Sequence, residues 1–314
     1  MHSQSLGNTQ PFQDCDPAHV AVITELRTLR NGTGLGTGQT TNGVFSERIT
    51  ATKPIDNPLD FLETHSPMLN TFVQSNQRWS NWIEARLPTT FVTQLKAAHE
   101  EVTKDAVDKL GLVLDVGAGF MSPFARKPNH AFVIGMDIAA EQIGRNQDVD
   151  ARLVGSAYRL PIRTGSVDVV TTRTLIEHLS DTNAFMREVA RVLRPGGQAI
   201  HLFPGRFAPF AILNRILPER VKRRLLLLTF PASGGVLGFP AFYHRCTEPS
   251  MKQLLGDLGL NVVESRCYYY QSLYYKALFP LYLFSLAYDL IVWRLDIKVL
   301  ASQVLIVAKR HPDL

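Results

Sequence analysis

The 314-residue sequence predicts an α/β fold: a doubly wound, mostly parallel seven-stranded sheet with an N-terminal helical layer and two late insertions. Three observations predict it. From residue 112 onward, short runs of branched apolar residues alternate with helix-spaced stretches, the pattern of parallel strands covered on both faces. A glycine-rich turn directly follows the first of these strands, and an acidic residue closes the second.

Residues 1–56 are rich in Gly, Thr, Asn and Gln, with Gly32, Gly34, Gly36 and Gly38 at every second position. The expectation there is a mostly disordered tail. Within it, Val22, Ile23, Leu26 and Leu29 recur at helical spacing between His19 and Arg30. Residues 57–110 read as a helical layer, with Pro58 near a start and Phe61, Leu62, Leu69, Phe72, Trp79 and Trp82 at apolar positions. The sheet then runs through LVLDV (112–116), AFVIGMD (131–137), ARLVG ending at Gly155, VDVVTT (167–172) and QAIHLF (198–203). Helices are expected through Glu141 and Ile143 and from Thr182 to Leu193, the latter followed by a turn at Arg194-Pro195-Gly196-Gly197. A helix at 249–258 and strands at 260–268 and 302–309 complete a domain over 111–314, with insertions at 204–246 and 269–300.

Composition narrows the class. Apolar residues make up 45% and charged residues 19% of the chain, an ordinary globular balance. Three cysteines without paired short spacing indicate neither a disulfide framework nor a metal site. The first residues lack the apolar core of a secretory leader, so the expected location is cytoplasmic. The net charge of +5 equals that of the segment 206–224, which holds Arg206, Arg215, Arg220, Lys222, Arg223 and Arg224 against Glu219. Such a patch suits a phosphate-bearing partner, an anionic membrane surface, or simply solvent.

Chemistry concentrates at Asp115-Val116-Gly117-Ala118-Gly119. Glycines there let the backbone turn tightly and approach a ligand. Asp137 comes 18 residues after Gly119, where a carboxylate accepts hydrogen bonds from a ribose diol. Gly155-Ser156-Ala157 succeeds the third strand, and Thr172-Arg173 ends the fourth. NAD is the rival ligand, but Ser122 stands where a dinucleotide turn needs its last glycine.

With these motifs in this order, residues 111 to about 204 resemble the Rossmann-like class I S-adenosylmethionine-dependent methyltransferases of the ubiquinone and small-molecule group. The resemblance implies S-adenosyl-L-methionine as cofactor. It implies that Asp115 neighbours the methionine amine, that Gly117 and Gly119 pass under the cofactor and that Asp137 holds the ribose. Ser156 and Ala157 would contact adenine, and Thr172 with Arg173 would line the floor near the methyl group. Two positions depart from the family pattern: Met121 replaces a third glycine and Ser156 replaces an acid. The expected effect is weaker cofactor affinity.

The acceptor is expected to be a small molecule or a lipid- or glycan-linked hydroxyl. Glu177, His178, His201 and His244 are candidate bases, and none is assigned. Seven of nine tyrosines lie between Tyr268 and Tyr288, and the uncharged run Ala277–Tyr288 has 12 residues, short for a membrane span. The segment 276–294 is expected to lie on an anionic bilayer or line a lipid-sized pocket, together with 206–224. The stretch YHRCTEPSMKQLLGDLGL and the residues after it resemble bacterial methyltransferases of polysaccharide and lipid biosynthesis. No nucleic-acid partner is expected, because the basic run lacks a reading module. The alternatives are a non-catalytic binding or scaffold protein on the same fold and, behind it, a nucleic-acid methyltransferase.

Overall fold

A computed structural model describes residues 21–22, 67–92, 95–109, 111–122, 131–222 and 239–312. The tail reading of 1–56 therefore lies outside the described residues, apart from Ala21–Val22. That pair corrects the helical spacing at its position: it forms strand β1, antiparallel to Leu153–Val154.

Strands β2 (Leu112–Val116), β3 (Phe132–Asp137), β4 (Ala151–Val154), β5 (Val167–Arg173) and β6 (Leu193–Pro204) are parallel to one another. β7 (Leu260–Tyr268) and β8 (Gln303–Arg310) run antiparallel, giving the order β1-β4-β3-β2-β5-β6-β8-β7. Seven strands thus make a mostly parallel sheet, extended by the two-residue β1. Burial on both faces explains the near-continuous apolar runs in β2, β5 and β8. Strand order runs outward from β2 to β4 and then restarts on the other side with β5, which places a crevice beyond the carboxyl ends of β2 and β5.

The helices that accompany the sheet include α1 (Pro67–Glu84), α2 (Thr89–Val92), α3 (Leu95–Val107), α4 (Ala140–Gly144), α5 (Thr182–Val192), α6 (Pro209–Ile216), α7 (Glu248–Asp257) and α8 (Phe279–Arg294). α5 begins where the Asp181 carboxylate accepts from the Ala184 amide, and α7 where the Thr247 side chain accepts from the Ser250 amide.

Two local expectations are corrected. Residues 194–197 belong to β6, whose pairing with β5 shifts register between Val167 and Val169. Gly197 permits this: a Cβ there would stand 2.9 Å from the Arg194 carbonyl, so only glycine lets the bulged chain fold back so closely. In α1, Phe72, Trp79 and Trp82 do not reach the core; all three are exposed, and Asn76 and Ser80 face inward instead. The Asn76 Oδ1 accepts from the Phe279 amide at 2.7 Å, which caps α8.

α8 docks through polar anchors as well as apolar contacts. Its buried Asp289 accepts from the Gln271 and Ser272 amides at 2.8 and 2.9 Å and from the Ser272 hydroxyl at 2.6 Å. Tyr282 and Leu286 pack with Phe91 and Tyr270 in a small core of their own. No helix among the described residues is long and apolar enough to cross a membrane.

Candidate active site

The turn after β2 is held from three sides. Gly117 and Gly119 have φ of 74° and 54°, and a Cβ on Gly117 would press to 3.1 Å from Leu175. The Gly117 amide donates to the Met136 carbonyl at 2.7 Å. Asp137, at the end of β3, accepts from the Gly119 amide at 2.9 Å and from the Ala139 amide at 2.8 Å. The Asn146 Nδ2 donates to the carbonyls of Ala118 and Gly119 at 3.3 and 3.2 Å. Sequence reasoning misses Asn146, since a lone Asn after a short helix carries no signal of its own.

Asp115 lies behind this turn. Its Oδ2 accepts from the Ser122 hydroxyl at 2.5 Å. Burial pushes the carboxyl up to about 6; the Ser122 hydrogen bond and the Arg173 charge oppose that, and the Asp137 charge adds to it. A cation placed against it would draw it back toward the ionised form.

Two cavities meet over the turn. The smaller, about 400 Å3, is lined by Gly117, Gly119, Asp137, Ser156, Ala157 and Arg173, together with Leu175, His178 and Phe239. The larger, about 840 Å3, shares Gly119, Gln142, Arg173 and Thr174 with it. Of the residues expected at the site, Asp115 and Thr172 line neither cavity. Thr172 is fully buried, and its hydroxyl bonds the His201 Nδ1 at 2.8 Å. Met121 does not crowd the turn; its side chain is exposed and lines the larger cavity.

Thr174, unmarked in the sequence, stands at the partition with φ of 55°, a strained conformation for a β-branched residue. Its amide donates to the Leu202 carbonyl at 2.9 Å, which fixes the bend.

The four candidate bases separate by environment. His201 in β6 is fully buried and pushed down to about 3 by burial, and His99 beside it in α3 to about 4, so both are neutral structural residues. The His244 Nδ1 accepts from the Thr182 amide at 3.1 Å and so caps α5. The His178 Nδ1 donates to the Pro240 carbonyl at 3.1 Å, and its ring lines the smaller cavity. Glu177 is buried, and burial pushes it up to about 8. Its Oε2 has no hydrogen-bond partner among the described residues.

Residues 114–201 match the family model described as a methyltransferase domain. A methyltransferase of Claviceps purpurea is 36% identical over 139 residues, 40% of this chain and 41% of that protein. The 27-O-demethylrifamycin SV methyltransferase of Amycolatopsis mediterranei is 34% identical over 122 residues, 32% of this chain and 45% of that one. The chain therefore spans under half the length of either relative. Among solved structures, geranyl diphosphate C-methyltransferase from Streptomyces coelicolor is similar at 15% identity and a TM-score of 0.43, over 69% of this chain and 81% of that one. The segment 114–201 is a methyltransferase domain of the class that uses S-adenosylmethionine.

Proposed function

We propose that the whole protein is an enzyme that transfers the methyl group of S-adenosylmethionine to a hydroxyl of a small-molecule or lipid- or glycan-linked acceptor. The observation that carries this reading is the pair of adjoining cavities, with the residues of three separate turns, Gly117 and Gly119, Asp137, and Ser156 with Ala157, gathered around the smaller. These residues fit the cofactor: an adenosyl group needs a flat slot, a buried carboxylate for its diol and backbone exposed by glycine. S-adenosylmethionine, when bound, supplies an electrophilic methyl carbon.

In this reading Asp137 takes the ribose and Ser156 and Ala157 the base. Asp115 holds the amine through the position that Ser122 occupies, and Arg173 forms the partition. The same reading places the boundaries of the transferase domain at 111–314, with its insertions at 204–246 and 269–300.

Membrane contact is part of the proposal. Support comes from α8, which carries Leu281, Phe284 and Ile291 exposed on its outer side, with Leu295 just beyond its end, while its inner side is also apolar. Exposed Trp79 and Trp82 adjoin it through the Trp79–Phe279 ring contact at 6.5 Å, and the Arg86 guanidinium sits over Trp82 at 3.7 Å. The basic run contributes less than its charge suggests. Arg206 and Arg215 donate to the carbonyls of Tyr243 and Arg206, and Lys222 pairs with Glu219; Arg223 and Arg224 lie outside the described residues.

Calorimetric titration with S-adenosylhomocysteine tests the cofactor reading. Saturable binding to the wild type is expected, weakened about 100-fold in Asp137→Ala and about 10-fold in Asp137→Asn, in line with the loss of charge-assisted bonds. Absence of binding to the wild type overturns the transferase reading in favour of a non-catalytic binding protein.

A further inference from the structure

The larger cavity has a wall of different origin from its floor. The floor belongs to the methyltransferase segment and includes Gly119, Met121 and Arg173. The outer wall comes from α1 (Gln77, Asn81, Glu84), the second insertion (Tyr274, Lys276) and the start of β8 (Gln303). Long-range bonds lock the wall together. The Ser80 hydroxyl donates to the Lys276 carbonyl at 3.3 Å, the Tyr270 hydroxyl to Glu84 Oε1 at 2.6 Å, and Lys276 Nζ to Asn81 Oδ1 at 2.9 Å. Lys276 also pairs with Glu84, both side chains being mostly buried. The carboxylate and the ammonium are thereby fixed in place rather than free on the surface.

The polar groups presented to the cavity, set among apolar ones such as Val92, Leu202 and Leu273, are mainly amides. The side-chain amides of Gln77, Gln142 and Gln303 bond no other group among the described residues, and an amide both donates and accepts, as a hydroxyl does. Charges nearly cancel, because Glu84 offsets Lys276 and leaves Arg173 at the partition. Phe210 and Tyr274, stacked at 4.9 Å, provide an apolar surface beside these polar groups. A bare hydrocarbon in this space would strip water from three amides and an ion pair without replacing its bonds, which disfavours it. With Glu84 paired to Lys276 and Arg173 standing 3.4 Å from Glu100, no unbalanced charge is present to select an ion over a neutral ligand.

We infer that this chamber is a binding site for a neutral, polyhydroxylated ring, a sugar or cyclitol unit. Gln77, Gln303 and the Glu84–Lys276 pair read its hydroxyls, and Phe210 and Tyr274 lie against its carbon face. The inference rests on the proposed function, in which the chamber receives the methyl acceptor. It also assigns acceptor choice to parts of the chain outside residues 114–201.

Saturation-transfer NMR on the full chain loaded with S-adenosylhomocysteine tests it, with methyl α-mannoside, methyl α-rhamnoside and myo-inositol as probes and farnesol as the contrast. At least one hydroxylated ring is expected to bind, and to bind about tenfold more weakly in the Gln77→Ala/Gln303→Ala variant, as two lost hydrogen bonds imply. The affinity of the same variant for S-adenosylhomocysteine is expected to stay within about twofold of wild type, a readout that a general loss of structure would move. Binding of farnesol alone, binding of no probe, or a double variant that binds the rings unchanged overturns the inference. Should S-adenosylhomocysteine itself fail to bind, the same probes are titrated into the unloaded chain. Ring binding there sustains the chamber while removing the transferase reading, and its absence removes both.

Discussion

The Ser122 hydroxyl donates to the Asp115 carboxylate at 2.5 Å, and Asp115 is a buried acid whose own partner set holds no paired cation at hydrogen-bonding distance among the described residues. The folded chain therefore binds a proton on Asp115 more tightly than the unfolded chain does. For an acid raised from 3.8 to about 6, stability is highest below the lower value and declines as pH rises to the upper one.

Replacing Asp115 by Asn removes that decline. In thermal melts across pH, the Asp115→Asn variant should match wild type near pH 4, gain on it up to about pH 6, and keep a constant lead of a few degrees above that. The same variant should bind S-adenosylhomocysteine at least tenfold more weakly, about 1.4 kcal/mol, if Asp115 holds the amine. A variant that lost stability at pH 8 would contradict the environment assigned to this carboxyl.

Glu177 gives the same sign over a wider window. Its pKa rises from 4.5 to about 8 through burial, so the wild type loses stability from about pH 4.5 to about pH 8. Glu177→Gln should show a lead that keeps growing between pH 6 and pH 8, where the Asp115→Asn lead is already flat. Melting curves of the two variants on one pH series separate the groups.

Gly205 tests the packing behind β6. Its amide donates to the Ser302 carbonyl at 2.8 Å, and a Cβ there would fall 1.9 Å from the Ala301 carbonyl oxygen. Gly205→Ala should cost more than about 3 kcal/mol or prevent folding. Gly165→Ala, with φ of 65° but open space around it, should cost only about 1 kcal/mol. Urea midpoints of the two variants make the comparison.

Phe284, 77% exposed on α8, should be dispensable for the fold. Phe284→Ser is expected to melt within a degree or two of wild type and to bind phosphatidylglycerol-rich vesicles about tenfold more weakly at low salt, as loss of one buried aromatic contact implies. Wild-type protein that ignored such vesicles would end the membrane reading.

Much of the fold is legible in the sequence because its signals are local. The strands at 112–116 and 260–268 need only their apolar runs and flanking turns, and Asp137 is found by its distance from Gly119. Where the structure departs from the sequence pattern, a non-local force decides the outcome. The bulged start of β6 depends on pairing with β5 across Gly197, which overrides the turn preference of Pro-Gly-Gly. In α1 the tryptophans suggest a buried face, yet the helix turns inward the residues that cap and bond α8. Adjacency to Arg173 suggests a place for Thr172 at the floor, but alternation along β5 sends the two side chains to opposite faces. The chamber wall has no sequence signal at all, since its hydrogen-bonded partners stand 186 to 196 residues apart.

β8 sits inside the sheet, between β6 and β7, although it comes last in sequence among the strands. Among the described residues β7 has no other strand partner, so its pairing depends on β8, and Ser302 and Gln303, which line the larger cavity, come with that strand. One zippering event thus completes both the sheet and the wall of the larger cavity. A nascent chain cut short before residue 303 would present two open strand edges to its surroundings, and would be an early client for chaperones and proteases.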